Sequence, residues 1–280
     1  MDVPDLDLPR SVALALWLQD LGPASAADPA PVARLVAAVQ SDDEPHTVVA
    51  PPDAPQLGST LAELVGAWAV GARTVAAGLP APGDQAGVPA VIGHVAASAG
   101  ECVLVQTGTG SYAAIPTVEE FGSVYEPGHL VRWEVSSVPE WQTALIGQVG
   151  SLADAERDLR AALTQATRAL AALDVARWRP DAAEAIASLR SDGDPGWRLP
   201  RGIDTRRVRV LASAARLRAI VALATADDGG AVNLWQADQR STALREVDRA
   251  ARRAMSAATL PAAGPDGRGG PGVYAPRTDR

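Results

Sequence analysis

The distribution of charge divides this chain into two unlike halves and constrains its fold more than any single motif does. Residues 1–150 contain four arginines and 17 acidic residues, which gives this half a net charge of −13. Residues 151–280 contain 21 arginines and 16 acidic residues, a net charge of +5. The hydrophobic pattern changes at the same place, from short apolar segments to long helical repeats. We therefore predict a domain boundary near residues 138–150.

The first half is predicted to be an acidic α/β domain of residues 1–140. Helices are predicted at 9–21, 28–40, from Ser59 and at 88–99, and strands at 47–50, 73–79, 101–106 and 130–135. Thr60 and Glu63 have the spacing of a capping box. Because the first three strands alternate with helices, we expect them to be parallel. Residues 107–110 separate two extended segments and predict a hairpin, so the sheet becomes mixed.

The second half is predicted to be an arginine-rich antiparallel helical bundle of residues 141–260. Its first helix begins at Ser151, with apolar residues spaced three, four and seven apart. Further helices are predicted at 181–190, 204–226 and 231–258, and a disordered tail rich in glycine and proline at 261–280. The predicted fold class is therefore α+β, an N-terminal domain with a mixed, partly parallel sheet followed by a C-terminal helical bundle.

The basic residues exclude several enzyme classes, because all 25 are arginine and the chain contains no lysine. Enzymes that form a Schiff base through a lysine amine, including those that use pyridoxal phosphate, are excluded. The lysines of a Walker A loop and of protein kinases are also missing. Arginine does not replace them, because its guanidinium stays protonated. We predict no cofactor.

The single cysteine, Cys102, excludes an intramolecular disulfide and a multi-cysteine zinc site. Its apolar neighbours predict a buried thiol in a strand. The first residues are acidic, unlike a signal peptide, and no apolar run is long enough to span a membrane. These features predict a cytoplasmic protein with no membrane partner.

The polar residues of the first half contain no strong metal-binding motif. His46, His94 and His129 lack the spacing of helical ligand pairs, and nothing requires them to meet, so we predict no metal site. The acidic run at residues 42–44 is predicted to be a solvated loop.

Four residues are candidates for ligand binding, because they lie in loops that follow predicted parallel strands. Ligands of parallel sheets bind outside the carboxyl ends of the strands. The candidates are Asp53, Asp84, Thr107 and Thr109. For Asp84 there is a structural alternative, in which its carboxylate caps the helix that follows.

The second half carries two stripes of arginines, each on one face of a predicted helix. Such stripes are typical of nucleic-acid binding. Acidic residues are interspersed with them and the isoelectric point is about 4.9, so we expect each stripe either to be a solvated face or to dock on the acidic half, and nucleic acid to be an unlikely partner. The stripes are Arg206, Arg209 and Arg216, and Arg245, Arg249 and Arg252.

Two segments together carry a resemblance. They are residues 79–84, with the sequence LPAPGD, and residues 170–180, with the sequence LAALDVARWRP. The combination resembles an uncharacterised protein family of high-GC bacteria. The resemblance covers most of residues 10–258 and implies no activity, cofactor or site residue.

Three hypotheses for function remain open at this point. The first is a non-catalytic intracellular interaction or scaffold protein, favoured because no catalytic motif is found while long amphipathic helices are present. The second is a small-molecule-binding protein or an enzyme that uses the strand-end loops with Asp53 and Asp84. The third, weaker hypothesis is an RNA-associated factor that uses the arginine stripes.

Overall fold

A computed structural model describes residues 6–22, 29–123, 126–172, 195–225 and 234–261. The predicted helix at 181–190 and residues 262–280 of the predicted tail lie outside these ranges, as does most of the segment 170–180. Within the described residues, none of the helices is long and apolar enough to cross a membrane.

The described residues form helices and strands in the order that the sequence predicts for the first half. The helices are α1 (Arg10–Asp20), α2 (Pro29–Gln40), α3 (Leu61–Trp68), α4 (Gly93–Ala99), α5 (Gln142–Val149), α6 (Leu152–Ala172), α7 (Thr205–Thr225) and α8 (Leu234–Thr259). The strands are β1 (Thr47–Val49), β2 (Thr74–Gly78), β3 (Cys102–Thr107), β4 (Gly110–Ser123) and β5 (Glu126–Ser137). A short 3-10 helix covers Pro55–Leu57.

The five strands form one mixed sheet in the order β1-β5-β4-β3-β2. Only β1 and β5 are parallel, and the other neighbours are antiparallel. Thr107 pairs with Gly110, so the hairpin predicted at 107–110 is confirmed. Helices α6, α7 and α8 pack against one another beyond the sheet. The predicted fold class, α+β with a mixed and partly parallel sheet, is confirmed.

The parallel pairing predicted for the first three strands is wrong. Strands β2 and β3 are antiparallel, with Gly78 opposite Cys102, and β1 lies at the far edge beside β5. The reason lies in the segment between β2 and β3, whose helix α4 has only seven residues. A helix of this length rises about 10 Å, and the chain re-enters the sheet at the end where it left.

The sheet and the helical bundle share one hydrophobic core. Four consecutive residues of β3, Cys102 to Val105, are fully buried, so this strand is covered on both faces. The same core cluster includes Leu211 of α7 and Met255 of α8. Cys102 is buried in β3, so the prediction of a buried thiol in a strand is confirmed, and burial raises the pKa of this thiol to about 12.

The open edge of β2 is covered by side chains from two helices. The Ala77 N–H donates to Thr259 Oγ1 at 2.9 Å, and Gln19 Nε2 donates to the Val75 carbonyl oxygen at 2.8 Å. These bonds satisfy backbone groups that would otherwise pair with another chain. At the other edge, Thr60 and Glu63 form the predicted capping box at the start of α3.

The loop after β2 presses against α5 at Gly87. Gly87 has a φ of +79°, and a Cβ there would lie 2.8 Å from the Ala144 carbonyl oxygen and 2.9 Å from Leu145 Cα. Gly83 has a similar φ of +82°, but a Cβ there would meet nothing within 4 Å. A substitution at Gly83 therefore introduces backbone strain alone, whereas a substitution at Gly87 introduces backbone strain and a steric clash with α5.

We predict that Gly87→Ala destabilises the protein more than Gly83→Ala does. Gly83→Ala should lower the free energy of unfolding by about 1 kcal/mol, through the left-handed backbone alone. Gly87→Ala should lower it by about 1–3 kcal/mol more, because α5 must move. Urea denaturation of both variants measures the difference, and equal losses would show that the loop does not press on α5.

Candidate functional site

The structure separates the four predicted ligand-binding residues into two groups. Ser137 Oγ, at the end of β5, donates to Asp53 Oδ2 at 2.9 Å, and this strand ends beside the start of β4. Thr107 and Thr109 lie in the hairpin at that same end, with their Oγ1 atoms 2.9 Å apart. Asp84 follows β2 and lies at the opposite end of the sheet. No single site contains all four residues, and their role in ligand binding stays a prediction.

Asp84 is held by arginines of α8. Its Oδ2 atom accepts hydrogen bonds from Arg252 Nη2 and Arg249 Nε, both at 3.1 Å, and its Oδ1 atom accepts the Ala86 N–H at 3.3 Å. The Asp84 side chain is 11% exposed and that of Arg252 is 5% exposed. Burial by itself raises the pKa of Asp84, but Arg252, the Ala86 N–H and Arg249 outweigh it and hold the pKa below its ordinary value.

Arg252 joins α8 to the loop after β2 by more than this ion pair. Its Nη1 atom donates to the Leu79 carbonyl oxygen at 2.6 Å, and its Nε atom donates to Asp248 Oδ2 at 2.7 Å. A buried arginine with three acceptors of this kind is well compensated. The cluster of Asp84, Arg249 and Arg252, here named the docking cluster, therefore fixes the bundle to the sheet.

The docking cluster decides two of the sequence predictions. Asp84 does not cap the following helix, because α4 begins at Gly93 and its N-cap, Ile92, makes no side-chain bond, so that alternative is wrong. The stripe that contains Arg249 and Arg252 docks on an acid of the first half, as expected. In the other stripe, Arg206 instead forms an ion pair with Glu156 of α6, within the second half.

A second polar cluster lies around Asp43 and was missed by the sequence analysis. Asp43 accepts two hydrogen bonds from Arg10, with Nε at 2.6 Å from Oδ2 and Nη2 at 2.8 Å from Oδ1. His46 Nε2 lies 3.1 Å from Oδ2, and His129 Nδ1 lies 3.2 Å from Oδ1. The Asp43 side chain is 8% exposed, so the prediction of a solvated loop at 42–44 is wrong for this residue.

The hydrogen bonds fix the protonation of His46. Trp133 Nε1 donates to His46 Nδ1 at 3.1 Å, so Nδ1 is the acceptor and Nε2 carries the proton that is donated to Asp43. Burial lowers the pKa of His46, and Asp43 only partly opposes this. Burial raises the pKa of Asp43, but its bonds to Arg10 and His46 outweigh burial and leave this pKa lowered.

The contacts of His46 indicate a structural role and not a catalytic one. Both ring nitrogens of His46 are engaged and its side chain is fully buried, so it has no free lone pair to accept a proton from a substrate. Among the described residues, no three His, Cys, Asp or Glu side chains are placed to hold a metal ion. The sequence signal that points to the cluster is the three-residue spacing of Asp43 and His46, just before β1.

Comparison with known proteins shows the family to which this chain belongs. The profile of the Rv1486c-like protein N-terminal domain matches residues 11–145, and that of the C-terminal domain matches residues 153–256. The chain is therefore a member of the Rv1486c-like family. It is 31% identical to the uncharacterised protein Rv1486c of Mycobacterium tuberculosis strain H37Rv, over 82% of this chain and 87% of that protein. The uncharacterised protein MT1533 of strain CDC 1551 matches with the same identity and coverage.

The resemblance to an uncharacterised family of high-GC bacteria is thus confirmed. No solved structure matches the chain. The two family profiles meet near the predicted boundary, and the division at residues 140 and 141 stays a prediction. Both relatives are described as uncharacterised, so they give no activity to compare with the geometry of this Rv1486c-like protein.

We predict that Asp84→Asn lowers the free energy of unfolding by about 2 kcal/mol or more. The amide keeps the shape of the side chain but removes one of the two carboxylates, those of Asp84 and Asp248, that face the buried guanidinium of Arg252. Asp53→Asn is the matched control, because Asp53 is exposed and should change stability by less than about 0.5 kcal/mol. Chemical denaturation measures both, and a loss at Asp53 that equals the loss at Asp84 would contradict the docking role.

We also predict that His46 makes the stability of the protein depend on pH. Below the ordinary histidine pKa of 6.5, the unfolded chain binds a proton here while the folded protein, whose His46 pKa is lowered, does not. The free energy of unfolding should therefore fall as the pH falls below this value, by up to about 1.4 kcal/mol per pH unit.

The variant His46→Gln isolates this effect, because the amide accepts from Trp133 and donates to Asp43 as the neutral ring does. It should lose less stability than the wild type between pH 7 and pH 5.5. His94→Gln is the control, since His94 is exposed on α4, and it should follow the wild type. Denaturation at each pH gives the comparison, and identical slopes for all three proteins would rule out His46 as the source.

Proposed function

We propose that this Rv1486c-like protein is a non-catalytic protein-binding module, and that it binds its partner through the projecting part of the β4–β5 hairpin. This part is named the arm and consists of residues 117–123 and 126–130. Strand β3 pairs with β4 only as far as Ala114, and β1 pairs with β5 only at residues 132–134. The observation that supports the proposal is that residues 117–123 are all exposed, on both faces of the ribbon.

The arm presents apolar side chains to solvent. Phe121 is 46% exposed and Leu130 is 49% exposed, and Val118 lies on the opposite face of β4 from Phe121. The Phe121 ring covers Gly128 of the paired strand, where a Cβ would lie 2.4 Å from the ring. An exposed aromatic ring held in place by its own strand pair is typical of an interface anchor.

The charge of the arm indicates the chemistry of the partner. Glu119, Glu120 and Glu126 lie on it, and residues 117–128 contain no arginine. Among the described residues, no strand pairs with the outer edge of β4 beyond Ala114. An extended segment of another protein with basic and apolar residues fits this edge, because it adds backbone hydrogen bonds and complements the acidic side chains.

The other hypotheses have less support. For a small-molecule site or an enzyme at the strand-end loops, Asp53 and Asp84 lie at opposite ends of the sheet and Asp84 is engaged by Arg249 and Arg252. For an RNA-associated factor, the same two arginines are neutralised by acids of this chain. We further propose that the interaction takes place in the cytoplasm, which agrees with a single, free and buried thiol.

Site-specific photo-crosslinking in cells tests the proposal. A photoreactive phenylalanine analogue replaces Phe121 in one variant and Leu163 in the control, because Leu163 is an equally exposed apolar residue on α6. We predict a defined protein adduct at position 121 and none at position 163. Adding Glu119→Arg should reduce the adduct at position 121 at least fivefold, because it reverses a charge that the partner complements.

The matched charge control is Glu140→Arg, an exposed acid outside the arm, which should leave the adduct at position 121 unchanged. The proposal would be overturned by equal amounts of adduct at positions 121 and 163. It would also be overturned if Glu119→Arg left the amount of adduct at position 121 unchanged. An adduct between two copies of this chain would show that the arm binds itself and not a basic partner. Light scattering would then give the mass of a dimer or a larger oligomer.

A further inference from the structure

A cavity of about 530 Å³ lies at the end of β2 that is opposite to Asp84. It is open to solvent on one side and is bounded by the end of α1, the start of β2 and the first turn of α7. Its walls are apolar at Leu18, Leu21, Val75 and Pro261, and polar at Gln19, Thr74, Arg73 and Arg207. A volume of this size is typical of small-molecule sites.

Both arginines of the cavity are fixed by carbonyl groups at helix ends. Arg73 donates to the Leu18 carbonyl oxygen from Nε at 3.1 Å and from Nη2 at 2.6 Å, and also donates to the carbonyl oxygen of Leu21. Leu18 lies in the last turn of α1 and Leu21 follows this helix, while Arg73 Nη1 donates to the Ala69 carbonyl oxygen, just after α3, at 3.3 Å. Arg207 donates to the Leu260 carbonyl oxygen, just after α8, at 2.6 Å, and to Gln19 Oε1 at 3.1 Å.

These carbonyl groups neutralise the two guanidinium groups only in part. The end of a helix carries roughly half a negative charge, so the ends of α1, α3 and α8 together still leave a net positive charge on the two guanidinium groups. Within the described part of the chain, neither arginine forms an ion pair with a carboxylate, in contrast to Arg252. Asp204 lies near enough to act on Arg207, but its Oδ1 atom accepts the backbone N–H of Arg206.

Both arginines are half-buried, and neither pairs with a carboxylate among the described residues. Burial lowers the pKa of Arg73, with no opposing acid, and burial lowers the pKa of Arg207 more than Asp204 raises it. Both groups stay charged, because arginine remains protonated in proteins. In addition, the Nε–H of Arg207 has no acceptor among the described residues.

We propose that this cavity binds a small molecule through an oxyanion, a phosphate or a carboxylate, held between Arg73 and Arg207. The guanidinium groups supply the charge and the donors, and Leu18, Leu21, Val75 and Pro261 contact the uncharged part of the ligand. This site is separate from the arm and from the docking cluster, and it does not depend on the function proposed above.

A purely structural role for the two arginines makes a different prediction. If they only cap α1, α3 and α8, their removal lowers stability equally in every buffer. If they hold an oxyanion, the protein gains stability from that anion, and the gain disappears when a guanidinium is removed. The dependence on the anion therefore separates the two roles.

Thermal unfolding of the full chain in inorganic phosphate, against sodium chloride of the same ionic strength, tests the proposal, with acetate as a second probe. We expect phosphate or acetate to raise the Tm of the wild type. Arg207→Gln should abolish this rise. Arg209→Gln, which removes an exposed arginine two residues away on the same helix, should retain it.

Isothermal titration calorimetry with the same two salts gives the direct measurement. We expect the Kd for the preferred anion to be at least tenfold weaker in Arg207→Gln than in Arg209→Gln. A preference for phosphate over acetate assigns a phosphate-bearing ligand, and the reverse assigns a carboxylate. The proposal is overturned if neither anion raises the Tm of the wild type beyond chloride, or if Arg207→Gln responds as Arg209→Gln does.

Discussion

The guanidinium of Arg252 is the contact on which the arrangement of sheet and bundle depends. It binds the Leu79 carbonyl oxygen, the carboxylate of Asp84 and the carboxylate of Asp248 at once, and so connects the loop after β2 to α8. A cation this deeply buried is stable only when its acceptors are all in place. The observed path of the loop and the packing of α8 on β2 therefore depend on each other.

Five of the arginines in the described part of the chain differ in their counter-charge, although their side chains are identical. Arg10, Arg249 and Arg252 face carboxylates and contribute to the fold through charge-assisted hydrogen bonds. Arg73 and Arg207 face carbonyl groups and a cavity. The difference in counter-charge, rather than exposure or sequence position, is what distinguishes a structural arginine from a candidate binding group here.

Much of the fold follows from local sequence, while the pairing of strands and the polar clusters do not. The capping box at Thr60 and Glu63, the hairpin at 107–110 and the buried Cys102 depend on neighbouring residues and were predicted. The direction of β3 relative to β2 depends on whether the connecting segment spans the length of the sheet. The sequence pattern of this segment does not predict that. The contacts of Asp43 with Arg10 and His129 join distant parts of the chain, so residue spacing alone did not show them.

The shared hydrophobic core has a consequence for the evolution of the Rv1486c-like family. Leu211, Val247 and Met255 of the second family domain belong to the same buried cluster as Val103 and Leu104 of the first. If recombination replaced either domain by an unrelated one, the apolar residues of the other would be left in water, at about 25 cal/mol for each Å² exposed. The two domains are therefore expected to be inherited as a pair, with substitutions on one side of the core compensated on the other.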